Sequence, residues 1–217
     1  MTVDASSKHQ EFEQLKSRLA ALEEELHAAA PREPWQPKGF YPEYHATTGF
    51  LLGSMAAGAA LLVNVICAPI AGKHPLELIR VYLTFPLGAK ALLLAEPGQP
   101  QTVGDGMILA FGCCLFIMTG MLLGIPVQLA LSRVNGTSTV PRRLLVAGML
   151  AIGLWLFNFY AVLAWLQPAL FGGNWIVDPE LLPPWVAAGT HLVFGWAMAL
   201  LYPFGKFTPH RRVSEKS

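Results

Sequence analysis

An all-α integral membrane protein with four transmembrane helices is the fold class this sequence predicts, and three observations predict it. Formal charges are scarce, with 15 Lys+Arg and 14 Asp+Glu among 217 residues, about half the usual share of a soluble domain. They vanish from four stretches: between Glu43 and Lys73, Asp105 and Arg133, Arg143 and Asp178, and Glu180 and Lys206. Each stretch exceeds the roughly 20 residues that cross about 30 Å of hydrocarbon as a helix. The mean hydropathy of +0.44 agrees. To the spans the sequence adds an N-terminal amphipathic or coiled-coil helix and an external interfacial helical hairpin.

Residues 1–30 form the one soluble helical piece. Ser7 followed by Gln10 has the spacing of a capping box, which starts the helix near Lys8. Phe12, Leu15, Leu19, Leu22 and Leu26 then alternate spacings of three and four, an a/d seam over a little more than two heptads. Glu11 and Arg18 fall at g, and Lys16 and Glu23 at e, so a parallel partner would pair Glu11 with Lys16 and Arg18 with Glu23. Three readings stay open: a surface helix, a homotypic coil, or a coil with another subunit. The seam is too short to be stable alone.

Pro31, Pro34, Pro37 and Pro42 make residues 31–44 a proline-rich linker. Trp35, Phe40 and Tyr41 suit the headgroup level, where aromatic rings with a polar edge collect. The four-span domain covers residues 45–205, with spans expected over 45–70, 107–131, 144–170 and 185–204. Within it, residues 71–106 form an external loop with two amphipathic segments: Pro75 opens the first, Pro86 and Gly88 interrupt it, and an apolar run around Lys90 follows. Neither segment is long enough to span, and a pair lying on the bilayer surface is expected ahead of a re-entrant loop. Residues 206–217 are a basic tail.

Orientation follows from the flanking cations. The N-terminal segment, the 132–143 loop and the tail carry 12 Lys and Arg, against 3 in the first external loop and none between spans three and four. The positive-inside rule places both termini in the cytoplasm, and a bacterial inner membrane is the expected location. Asn135, Gly136 and Thr137 match a glycosylation triplet, which a cytoplasmic loop would leave unused. No apolar h-region precedes the first span, so no cleaved signal peptide is expected. The two halves show no internal repeat of the kind that marks many secondary transporters.

Small residues recur at helix-packing intervals, Gly49, Gly53 and Ala57 on span one and Gly120 and Gly124 on span two, where close backbone approach is expected. Depth singles out a second group. Counting about 1.5 Å per residue from the span ends puts Asn64, Asn158 and His191 all about 20 Å from the cytoplasmic face. Unpaired polar groups are costly in hydrocarbon, so this buried polar layer is expected to face protein. His191 is expected to bond to Asn64 or Asn158, or to a bound molecule.

Three histidines are candidates for cofactor binding. His191 lies inside a span, His45 opens span one beside Tyr44, Thr47 and Thr48 with Gln128 and Tyr202 approaching the same face, and His74 could fold back from the external loop. Haem or a quinone are the cofactors these residues could serve, although the sequence requires neither. No catalytic residue and no metal ligand is assigned: Cys67, Cys113 and Cys114 lie in apolar runs without CxxC spacing, and no nucleophile, zinc or phosphate-loop motif appears. A net charge of +1 without a basic stripe gives nothing for nucleic acid to bind. The expected partners are the lipid bilayer, other integral membrane subunits and, through the N-terminal helix, a second copy. The leading reading is a non-catalytic structural or accessory subunit of a multi-subunit membrane complex, with an energy-transducing one as a candidate host; the alternatives are a quinone- or haem-associated redox subunit and a small transporter or channel component.

Overall fold

The computed structural model describes residues 5–28, 41–70, 72–94, 102–134 and 139–207. Among these, every regular element is helical. The chain divides into two compact units, Met1–Phe40 with Thr208–Ser217, and Tyr41–Phe207.

In the first unit, α1 spans Ala5–Ala28. It begins two residues before Ser7, so Ser7 is helical rather than an N-cap. Phe12, Leu15, Leu19 and Leu22 share one stripe, and each keeps more than half of its surface exposed, 53–62%. Leu26 belongs to the helix, but its side chain lies outside those described. The linker prolines 31, 34 and 37, with Trp35 and Phe40, also lie outside the described residues.

The second unit is a multi-pass membrane domain with four helices long and apolar enough to cross a bilayer. The first, α2, spans Pro42–Ile70, so the end of the expected linker is already helical. Pro42 suits a first turn, where its missing N–H would have no helical acceptor. At the far end the Gly72 N–H donates to the Pro69 carbonyl and the Lys73 N–H to Ala68. These are the paired bonds of a Schellman stop, and Gly72 supplies the left-handed residue at φ +70° that the motif requires.

Next come α3, Glu77–Leu87, and a 3-10 turn over Gly88–Leu93. The helix runs through Pro86 and breaks at Gly88, whose φ is +63°. This pair is tucked into the bundle rather than spread over a surface: Ile79, Val81, Leu83 and Thr84 are fully buried. Burial is tolerated because most of the polar groups are paired. Arg80 bonds Glu77 at 2.9 Å and also donates to the Leu92 carbonyl. Gln167 donates to Thr84 at 3.0 Å while accepting the Ile176 N–H at 2.9 Å.

The second crossing is α4, Val103–Val134. The third is compound: α5, Val140–Leu156, passes through a π-helical segment, Phe157–Leu163, into α6, Ala164–Phe171. Gly172, at φ +75°, ends it by donating to the Pro168 carbonyl. The fourth, α7, spans Pro184–Leu201 and finishes in a 3-10 turn at Tyr202–Gly205. The first three are longer than expected, because turns beyond the charge-free core continue the helices, and the fourth covers its expected span once the 3-10 turn is included.

Packing is uneven. The closest pair is α2 with α4; α7 packs on both α2 and α5, whereas α4 and α5 touch only sparsely. The main core joins Leu52, Ala56, Ala57 and Ala60 to Val127, Leu131, Phe194 and Met198. A gap remains on the side where α4 and the π segment diverge.

Candidate functional site

The gap is a cavity of about 520 Å³, within the usual range of small-molecule sites. Its walls come from α2, α3, α4, the π segment and α7, and are almost wholly apolar. Tyr82, Phe85, Phe116, Phe159 and Phe194 supply five aromatic rings, and His191, Asn158, Thr190 and Thr119 supply the polar positions.

Each element brings its side chain for a local reason. A π turn adds a residue to the helical repeat and shifts the following side chains around the axis; such turns concentrate at functional sites. Asn158 and Phe159 sit in this turn and line the cavity. On α7, Thr190 and His191 are consecutive and point to different neighbours. The Thr190 hydroxyl donates to the Val186 carbonyl at 2.8 Å and accepts the Asn64 amide at 2.9 Å. His191 Nδ1 bonds the Ala187 carbonyl at 2.9 Å, and its ring meets Phe159 edge to face at 5.7 Å. From α3, the Tyr82 hydroxyl lies 2.6 Å from Thr119 on α4.

The structure places the three residues of the expected polar layer around this cavity, and among the described residues no hydrogen bond links any two of them. Asn158 and His191 line the same cavity, and Asn64 reaches its edge through Thr190. The cross-helix bond expected of His191 is made by Thr190. The reason is stereochemical: His191 Nδ1 satisfies itself on the carbonyl one turn back, leaving the neighbouring hydroxyl to meet α2. Thr190, Tyr82 and Thr119 are the site residues that sequence reasoning passed over. Only Thr190 carried a signal, its position next to His191.

The other two histidines are not brought to this cavity. His74 Nδ1 accepts the Leu76 N–H at 3.1 Å and holds the turn into α3. His45 is buried at the opposite end of the domain, beside Tyr44, whose ring is 5.5 Å away. Near it Gln128 is completely buried, packed so closely that a methyl group added at Gly205 would lie 2.7 Å from its amide nitrogen. Neither His45, Gln128 nor Tyr202 lines either of the two described cavities.

A second cavity of about 410 Å³ adjoins the first through Leu78, Leu182 and Thr190, and carries Asn64, Cys67, Lys73 and Glu77. The Asn64–Thr190 bond stands between the two. Cys113 is half-buried and Cys114 exposed; neither lines either of these two cavities. Among the described residues no three His, Cys, Asp or Glu side chains converge as a metal site would need.

The five packing residues lie together on one seam. A methyl group added at Gly49 would lie 2.6 Å from both Gln128 Cβ and the Gly124 carbonyl oxygen. One at Gly53 would strike the Gly120 carbonyl, one at Gly120 the Ala57 methyl, and one at Gly124 the Gly49 carbonyl. Fold and site together define a four-span α-helical membrane protein with an apolar site among its helices. No family model, curated protein or solved structure matches the chain.

Proposed function

We propose that this protein is a non-catalytic accessory subunit of a multi-subunit membrane complex, of the energy-transducing kind, joined to its neighbours by α1. The uncovered apolar stripe of that helix carries the reading. A stripe of Phe12, Leu15, Leu19 and Leu22 left in water is unfavourable, and a second helix would cover it. The flanking charges favour a parallel partner of the same pattern, which pairs Glu11 with Lys16 and Arg18 with Glu23. An antiparallel copy that keeps all four apolar layers sets Arg18 against Arg18 and Lys16 against Lys16, both repulsive. In this reading the arm lies in the cytoplasm with the C-terminal tail, on the cation-rich side of a bacterial inner membrane.

The test is purification of full-length protein in mild detergent, with every co-purifying chain identified and the particle mass measured. Replacing Leu19 and Leu22 together by Asp is expected to strip the partner or second copy while leaving membrane insertion intact. Unchanged partner recovery and unchanged mass would overturn the recruitment role.

A further inference from the structure

The cavity's polar atoms can be assigned by their protons, and the assignment is one-sided. A carbonyl oxygen only accepts, so the bond from His191 to Ala187 places the imidazole proton on Nδ1. The neutral ring then carries a lone pair on Nε2, which has no protein partner among the described residues. The Tyr82 and Thr119 hydroxyls lie 2.6 Å apart and both reach the Leu115 carbonyl, at 3.4 and 3.0 Å; whichever of the two donates to the other, both protons are used within this trio and Tyr82 has only acceptor capacity left. Thr190 has spent its proton on Val186. The one donor left among these side chains is the amide of Asn158, which has no hydrogen-bond partner among the described residues. The cavity therefore offers acceptors on an apolar wall and a single amide donor.

We propose that this cavity binds the ring of a membrane-soluble molecule that gives a hydroxyl proton to His191 Nε2, of the hydroquinone class. Phe159, Phe116, Phe194 and Phe85 provide edges and faces for an aromatic ring. The ring's oxygen can in turn accept from Asn158. The cavity is not sealed, and α4 touches α5 only sparsely, so a hydrocarbon tail leaving between them would stay among lipid chains. Charged ligands fit poorly: no Lys, Arg, Asp or Glu lines this cavity, and a phosphate headgroup or the propionates of a haem would enter without a counter-ion. The site is independent of the recruitment role of α1, and either can fail alone.

The experiment uses the full-length chain in phosphatidylcholine nanodiscs, with tritiated decyl-hydroquinone held reduced under anaerobic conditions. Saturable binding above empty discs is expected. The bis-methyl ether, which keeps the ring and tail but carries methyl groups in place of the hydroxyl protons, should bind at least about tenfold more weakly, a difference of about 1.4 kcal/mol. The oxidised quinone should also be weaker, because it has no proton for Nε2. His191→Leu should remove the saturable component, and His191→Asn, whose amide oxygen can accept, should restore part of it. Should His191→Leu not fold, the comparison of hydroquinone with its ether decides on the unaltered protein. Equal binding of hydroquinone and ether, or no saturable binding, overturns the proposal. So does a haem absorption band in the purified protein that His191→Asn abolishes, since Nε2 would then be an iron ligand.

Discussion

Along one side of α4 the chain permits no space at all, and along the other it leaves room for a small molecule. At the α2 seam, Gly49 and Gly53 meet Gly120 and Gly124 so closely that a single methyl group would strike backbone carbonyls. Beside it, Thr119, Phe116 and Leu123 of the same helix face the cavity, which Gly120 and Ala57 at the end of the seam also line. Lipid chains are as apolar as leucine, so burial gives little drive for helices to associate in a bilayer; contact is won by close backbones and by polar bonds. The glycine seam uses the first means. The cavity side uses the second at its edges, Tyr82 with Thr119 and Asn64 with Thr190, while the π turn and five aromatic rings hold the walls apart. A rigid contact on one face of α4 is what allows a space to persist on the other.

Substitutions separate the two sides. The largest effect is expected from Gly124→Leu, which drives a side chain into the Gly49 carbonyl. It should cost on the order of 3 kcal/mol or more, seen as loss of monodisperse protein and a lower melting temperature in detergent. Next is Arg80→Met, which leaves Glu77 unpaired in a mostly buried position. A loss of about 3 kcal/mol is expected, and Glu77→Gln added to it should recover much of that loss in the same melting assay. Asn64→Leu removes one bond between helices and should cost about 0.6–1.7 kcal/mol. Thr190→Val added to Asn64→Leu should cost less than the sum of the single changes, because the two side chains share that bond. The smallest effect is expected at Gly58, where an added methyl group meets nothing within 4 Å. Gly58→Ala should change stability by no more than about 1 kcal/mol, in the stabilising direction set by helix propensity. An equal loss from Gly58→Ala and Gly124→Leu would show that the seam is not the special contact described.

The four spans were legible because charge is excluded from hydrocarbon, and the gaps from Glu43 to Lys73 and from Arg143 to Asp178 register that exclusion directly. Their ends were less legible: Pro42 and Val103 begin helices earlier than the apolar runs do, since interfacial turns need not be apolar. The glycine seam could be read from spacing because a gap of four residues is one helical turn. The π segment could not, as nothing in Phe157–Leu163 distinguishes an inserted residue from regular helix, and with it the direction of Asn158 was hidden. The burial of α3 was masked by Glu77 and Arg80, which look like surface residues singly and become buriable only as a pair three residues apart. For His191, depth in the span was readable, but the free nitrogen was not. That depends on the Nδ1 bond to Ala187, which only the ring's rotamer determines.

An electron cryomicroscopy map of the protein in lipid nanodiscs, bound to a rigid antibody fragment, measures the contrast between the two faces of α4 most directly. Continuous backbone contact of α2 with α4 is expected, with Gly49 and Gly53 against Gly120 and Gly124. So is an open volume of several hundred Å³ between Phe116, Phe159 and His191, with Asn64 bonded to Thr190. A map in which α4 closes onto the π segment and His191 bonds Asn158 directly, leaving no space between them, would contradict this contrast.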